Sequence, residues 1–280
     1  MPPGLDPAAG DLKQARATRK RLQLFSMASV SMRMVLHLAA QRRKCNRDRT
    51  NNNNEGGANA NAPAPLQITD FGAGSGHLGL ILAWAGAVAL GDGAVAVTLL
   101  DRKGFGCDQS ERRVADAGLA GSVAVVEMDA LEYASPVDLG VSLHSCGVLT
   151  DIAHQTCLEQ RAAFVLCPCC YGQLNDMAYA GRVARPRSDG WRSAGVDREQ
   201  CLLIASGADF SPQPSKDGKR AVWDFGDDSN YMLAKRAMQA IDGDRLAAAR
   251  ERGYATLQRS LHPVTCSPKN NLIIGAPIPP

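Results

Sequence analysis

Apolar and polar positions along the chain follow two rhythms, separated by a stretch that has neither. Between residues 12 and 44 apolar side chains recur at helical spacing, and Phe25, Ala28, Met32, Val35, Leu36 and Ala39 form the predicted buried face. Arg19, Lys20, Arg21, Arg42, Arg43 and Lys44 crowd the ends of that segment, so one or two amphipathic helices are expected, laid along one edge of the following domain. Residues 50–65, TNNNNEGGANANAPAP, hold too few apolar side chains to fold and read as a low-complexity linker. From Leu66 the rhythm changes. Strands are predicted over Leu66–Phe71, Ala94–Leu100, Val123–Glu127, Leu139–Leu143 and Phe164–Cys167, with helices from about His77 and over Gln109–Ala117. That alternation predicts an α/β domain built on a parallel, doubly wound sheet.

Residues 173–230 break the alternation. They are polar, rich in Gly, Pro, Ser and Asp, and carry one apolar run, Cys201–Ala205, so an insertion or lid, in part disordered, is expected there. A helix follows over Tyr231–Arg252, then two β-like runs, Ala255–Leu261 and Leu272–Ile278, joined by a tight loop. The expected layout is a basic helical extension (1–49), a linker (50–65) and one domain (66–280).

Charge and cysteine usage narrow the possibilities. Residues 1–50 carry eleven Lys/Arg against three acids, a balance of +8, so the overall +3 leaves −5 for residues 51–280. The basic segment is therefore either a solvated helix face or an arm for RNA. There is no basic-then-apolar leader and no run of about 18 apolar residues, which argues against secretion and membrane insertion. Nine cysteines are then expected as thiols or metal ligands in a reducing, cytoplasmic compartment.

The segment ITDFGAGSGHLG carries the first chemistry. Glycines 72, 74 and 76 let the backbone turn sharply and approach a ligand, and the helix starting near His77 aims its N-terminal amides into the same crevice. Asp70, at the strand end, can accept from an amine-bearing ligand. Gly74 to Gly79 also fits the G-x-G-x-x-G dinucleotide fingerprint. An acid ahead of three alternating glycines, however, resembles motif I of class I methyltransferases, whose cofactor is S-adenosyl-L-methionine. Asp101 closes VTLLD, where a carboxylate could chelate two ribose hydroxyls, and Asp129 with the Ala130 amide follows VVEM, where an adenine edge could sit.

Two further strand ends, VSLHSCG (141–147) and VLCPCCYG (165–172), bring His144, Cys146, Cys167, Cys169, Cys170 and Tyr171 toward one place. His144 is the candidate base beside the cofactor, and Tyr171 is expected to shape the acceptor pocket. Zinc is the other reading of the thiols, with Cys146, Cys167, Cys170 and Cys266 as the candidate ligands.

DFGAGSGHLG, LHSCGVLTD, FVLCPCCYG and the late CSPKNNLIIG together resemble the methyltransferase domain of the glutathione S-transferase C-terminal-domain-containing protein family. The resemblance covers roughly residues 66–172 and 245–278, while 173–230 and the Asn-rich linker fit it poorly. It implies a Rossmann-like, seven-stranded class I methyltransferase sheet with helices on both faces, S-adenosyl-L-methionine as cofactor, and no glutathione chemistry. It also implies a last strand that runs antiparallel and begins on the cofactor side, which would bring Cys266, Lys269, Asn270 and Asn271 to the rim of the site. Lys269 could there contact phosphate or acidify a hydroxyl nucleophile. Similar Cys-rich strand ends occur in tRNA ribose 2′-O-methyltransferases. The expected function is methyl transfer to RNA, tRNA or rRNA. An inactive cofactor- or zinc-binding module in an assembly, or a protein methyltransferase, is the alternative, and the oligomeric state stays open.

Overall fold

A computed structural model describes residues 4–7, 13–52, 64–175, 179, 181–209, 226 and 229–279. Its strands are β1 (Leu66–Phe71), β2 (Val95–Asp101), β3 (Val123–Glu127), β4 (Leu139–Cys146), β5 (Ala163–Cys169), β6 (Tyr254–Ser260) and β7 (Asn271–Pro277), in the order β3-β2-β1-β4-β5-β7-β6. The first five pair in parallel and β7 runs antiparallel to both β5 and β6. This is the class I methyltransferase sheet. β1 and β5 are buried almost without interruption because helices cover both faces, which is why they read as continuous apolar runs.

The helices are α1 (Gln14–Asn52), α2 (His77–Leu90), α3 (Gly104–Asp116), α4 (Val148–Glu159), α5 (Asp189–Ser193), α6 (Arg198–Gly207) and α7 (Asn230–Glu251). On one face Leu24 and Met27 of α1, Leu78 and Leu82 of α2 and Val114 of α3 pack on Ile68, Val97, Leu99 and Val141. On the other, Ile152 of α4 and Leu246 of α7 pack on Phe71, Phe164 and Ile273.

The N-terminal segment differs from expectation in length and placement. It is one helix that runs to Asn52, into the low-complexity stretch, and it lies beside α2 over the central strands β4 and β5 rather than along an edge. Its buried face is Ala17, Leu24, Met27, Ala28, Ser31 and Val35, while Phe25, assigned to that face from spacing alone, is 75% exposed. Gln23 Nε2 donates to Cys266 O at 2.8 Å, Ser26 Oγ accepts from His262 N at 2.9 Å, and Arg42 pairs with Asp138 at 2.5 Å. By length and composition α1 is the one helix among the described residues that could cross a membrane. One apolar stripe of it, with Leu24, Met27 and Val35, packs on the core, while Leu22, Phe25 and Leu36 are exposed.

Residues 181–209 pack against α7. Cys201, Ala205 and Ala208 bury against Ala234, Met238 and Ile241, and Asp244 accepts from Arg187 N, Ser188 N and Ser188 Oγ at 2.6–2.9 Å. Behind them, Arg245 Nε meets Asp151 Oδ1, Arg245 Nη1 meets Asp242 Oδ1, and Arg185 Nη2 meets Asp151 Oδ2, each at 2.8 Å and fully or nearly buried. Residues 210–225, on which the expectation of disorder largely fell, lie outside the described set, as do 53–63 of the linker.

Candidate active site

At the carboxyl ends of β1 to β4 two cavities of about 250 and 210 Å³ share Gly72, and together they fall in the ordinary size range of small-molecule sites. The loop between β1 and α2 forms their common wall. Its glycines take left-handed conformations, φ 70°, 57° and 76° at Gly72, Gly74 and Gly76. A Cβ at Gly76 would stand 2.8 Å from both Leu99 Cδ1 and Ser110 Oγ, so close packing as well as conformation demands glycine there. At Gly74 a Cβ would meet nothing within 4 Å, so the chain leaves open space on the ligand side.

Asp70 sits beneath this loop, 2% exposed, accepting from Gly79 N at 3.0 Å. Burial pushes its carboxyl up to about 7, opposed by the Gly79 amide and by the positive charge of Lys20. Lys20 was not singled out from the sequence. It reaches from α1 to line the same cavity as Asp70, Gly72, Gly74 and Ser75, and its burial lowers its own pKa. A carboxylate and an ammonium at one end of a crevice match the two charges of an amino acid. His77 lines this end too. Its Nδ1 pairs with Ser75 Oγ at 2.9 Å, its buried Nε2 finds no partner among the described residues, and burial holds its pKa near 3.

The other end suits a nucleoside. Asp101 Oδ2 accepts from Gly74 N at 2.8 Å and Oδ1 from Lys103 N at 3.0 Å, which orients the carboxylate and leaves further lone pairs on each oxygen. Asp129 accepts from Leu131 N at 2.9 Å and from Tyr179 Oη at 2.7 Å. Leu100, Met128, Ala130, Leu149 and Ile152 supply apolar walls. Tyr179 also lines this cavity and accepts from Arg102 Nη1 at 2.7 Å. It falls in the polar stretch 173–230, where no periodicity marks it.

The ends of β4 and β5 form the remaining wall. His144 interrupts the β4–β5 register between Leu143 and Ser145 and takes φ 65°, which turns its ring toward both the nucleoside cavity and a neighbouring cleft. Its Nε2 lies 3.2 Å from Gln23 Oε1; with that oxygen accepting, Nδ1 keeps its lone pair. Burial lowers its pKa to about 4, so the ring is neutral at physiological pH. The neighbouring cleft is lined by Arg16, Arg19, Lys20 and Gln23 of α1 together with Ser75, His77 and Cys266.

Two of the residues expected to act on the acceptor are engaged elsewhere. Tyr171 is 1% exposed and donates to Asp242 Oδ2 at 2.7 Å, beneath Arg245, so it belongs to the buried charge network and lines neither cavity. Lys269 Nζ donates to Ala208 O and pairs with Asp209 at 3.1 Å, anchoring the end of α6. Asn270 and Asn271 both accept from the buried Lys235 ammonium, and Asn271 Nδ2 donates to Asp242. These residues stand at strand ends, but Tyr171, Asn270 and Asn271 turn toward α7 and Lys269 toward the end of α6. The thiols also group differently from the proposed zinc set. Cys146, Cys169 and Cys170 bring their sulfurs within 4.8 Å of one another, whereas Cys167 donates to Lys269 O at 3.8 Å and stands outside that group with Cys266.

A parallel sheet with a reversed β7, acids at the ends of three successive strands and a left-handed glycine loop define the class I S-adenosylmethionine-dependent methyltransferase fold. The residues fit that cofactor, with opposite charges at one end of the crevice and oriented carboxylates with apolar walls at the other. Residues 50–177 match the family model described as a methyltransferase domain, and the chain is similar in sequence to the glutathione S-transferase C-terminal domain-containing proteins. It is 30% identical over 182 residues to the protein of that name from Mus musculus, covering 65% of this chain and 26% of the relative. The Xenopus laevis protein aligns over 278 residues at 27% identity, 99% of this chain and 37% of its own. That alignment takes in α1 and residues 173–230, so the likeness extends beyond the four motifs. The chain spans about a quarter of the length of the Mus musculus relative. Among solved structures, an S-adenosylhomocysteine-bound methyltransferase from Podospora anserina superposes with a TM-score of 0.42 at 13% identity, over 77% of this chain and 73% of the other.

Proposed function

We propose that the chain methylates RNA, with tRNA or rRNA as the acceptor. The observation that carries this reading is the cleft in which Arg16 and Arg19 of α1 lie beside His144, so that cations able to hold a phosphate backbone flank a neutral imidazole at the mouth of the cofactor crevice. When bound, the cofactor supplies an electrophilic methyl group. Asp70 and Lys20 would hold its amino-acid end and Asp101 its ribose, so that positioning would be the main contribution of these residues to rate. His144 Nδ1 takes the acceptor's proton as it acidifies; a weak base suffices for that. Arg16 and Arg19 orient the acceptor strand. Nine free cysteines support a reducing, cytoplasmic setting.

Calorimetry with S-adenosylmethionine and S-adenosylhomocysteine on wild type and Asp101→Ala tests the cofactor half. Binding to wild type that the variant loses is expected. Labelled-methyl transfer into total cellular RNA, compared with total protein, tests the acceptor half. Because α1 is part of the core, its charges rather than the helix are removed: Arg16→Ala/Arg19→Ala is expected to weaken RNA binding and flatten its salt dependence. Label that enters protein alone refutes the RNA reading and leaves the cofactor assignment untouched.

A further inference from the structure

Parallel pairing of β4 with β5 sets Cys146 directly beside Cys169, so both thiols leave the sheet on the same side. Continued strand geometry would send the next side chain, Cys170, to the opposite face. Cys170 instead takes φ 52°, a left-handed conformation that is strained for a non-glycine residue, and its thiol returns to the other two. The Cys146–Cys169 and Cys146–Cys170 sulfur separations are 3.2 and 3.4 Å. Gly147, φ 53°, follows at once, and a Cβ there would meet Gln173 Cβ at 2.8 Å and Gln173 O at 2.9 Å, so the backbone around the thiols is tightly set. Three sulfurs are thus gathered by one register and one strained residue, at the rim of the nucleoside cavity that Cys146, His144 and Gln173 help to line.

We infer that Cys146, Cys169 and Cys170 form a three-thiolate site for a zinc ion at the mouth of the cofactor crevice, with the fourth coordination position turned toward the cleft. Tetrahedral thiolates at a zinc–sulfur distance of about 2.3 Å stand about 3.8 Å apart, so the separations of Cys146 from Cys169 and Cys170 need to open by only about half an ångström to hold the ion. A cation among the sulfurs also removes the mutual repulsion that three neighbouring thiolates would suffer. Asp209, which holds Gly172 N at 2.9 Å and Lys269 at 3.1 Å, is outside the group of three, so the described residues contribute three ligands. Three protein ligands and an open position are the pattern of zinc sites that bind a further group, whereas closed structural sites use four.

The competing chemistry is oxidation, since Cys146 could form a disulfide with either neighbour. The full chain, expressed with added zinc and purified without chelator or oxidant, separates the two. Elemental analysis is expected to give one zinc per chain, lost in Cys146→Ser, Cys169→Ser and Cys170→Ser and retained in Cys266→Ser. Cobalt exchanged into wild type is expected to show a thiolate-to-metal charge-transfer band that the three variants lack. Circular dichroism and a thermal melt on each serine variant report that the fold survives, so metal loss is not read from an unfolded chain. Metal-free wild type with no cobalt band overturns the inference. So does a Cys146 disulfide found by mass mapping of the freshly purified protein, or zinc that survives in all three serine variants.

Discussion

Tyr179 Oη donates to Asp129 Oδ2 at 2.7 Å while accepting from Arg102 Nη1 at the same distance, so one phenol ties the chain after β2 to the chain after β3 across the nucleoside cavity. Removing the hydroxyl frees both partners without changing the ring. Tyr179→Phe is expected to weaken S-adenosylhomocysteine binding by roughly five- to tenfold, the worth of about one net hydrogen bond. The melting temperature without ligand should hardly move. Calorimetry beside a thermal melt checks both, and an unchanged dissociation constant would show that the bridge is incidental.

Asp70 gives the site a pH dependence whose sign follows from its burial. Its folded pKa, about 7, lies above the ordinary 3.8, so the folded chain keeps a proton that the unfolded chain releases. The stability this contributes is complete below about pH 4 and is lost as pH rises to about 7, flat beyond. Binding of a ligand ammonium needs the ionised form. Affinity for S-adenosylhomocysteine should therefore rise between about pH 6 and pH 8, and Asp70→Asn should bind more weakly with that rise removed. A wild-type affinity that is level across this range counts against Asp70 as the ammonium partner.

His144→Asn tests the base while respecting the backbone, because asparagine tolerates the left-handed φ of 65°. Turnover is expected to fall by about 10²–10⁴-fold, with S-adenosylhomocysteine affinity within about twofold of wild type. Full turnover in the variant would remove His144 from the proton path.

The buried network around Tyr171 predicts an effect on stability in place of one on chemistry. Tyr171→Phe leaves Asp242 with Arg245 and Asn271 and should cost about 1–3 kcal/mol while cofactor binding persists. Asp151→Asn strips one charge from between Arg185 and Arg245 and should cost about 3–5 kcal/mol. Chemical denaturation measures both. Loss of cofactor affinity in Tyr171→Phe at unchanged stability would return that residue to the active site.

The strands and the acids at their ends were readable because a parallel sheet buried on both faces leaves continuous apolar runs, and ligands gather where those runs stop. Strand-end position says which residues lie near the crevice but not which way they point. Tyr171 and Lys269 were misread for that reason: their partners, Asp242 and Asp209, are 71 and 60 residues away in sequence. Phe25 was misread because α1 offers two apolar stripes and only packing on β4 and β5 chooses between them. Lys20 and Tyr179 carried no local signal, one lying within a charge run and the other in a polar stretch.

Asp70 belongs to the sheet, whereas Lys20 belongs to α1, so a ligand that engages both is a cross-link between the extension and the domain. Occupancy and helix docking are then thermodynamically linked, each strengthening the other by the same factor. Backbone amides of α1 should exchange with solvent deuterium more slowly when S-adenosylhomocysteine is present, and Lys20→Gln should abolish that protection along with part of the affinity. Leu24, Met27 and Val35 already seat the helix in the core, so the ligand would add to its docking, and Arg16 and Arg19 would face an acceptor most firmly in molecules that carry cofactor.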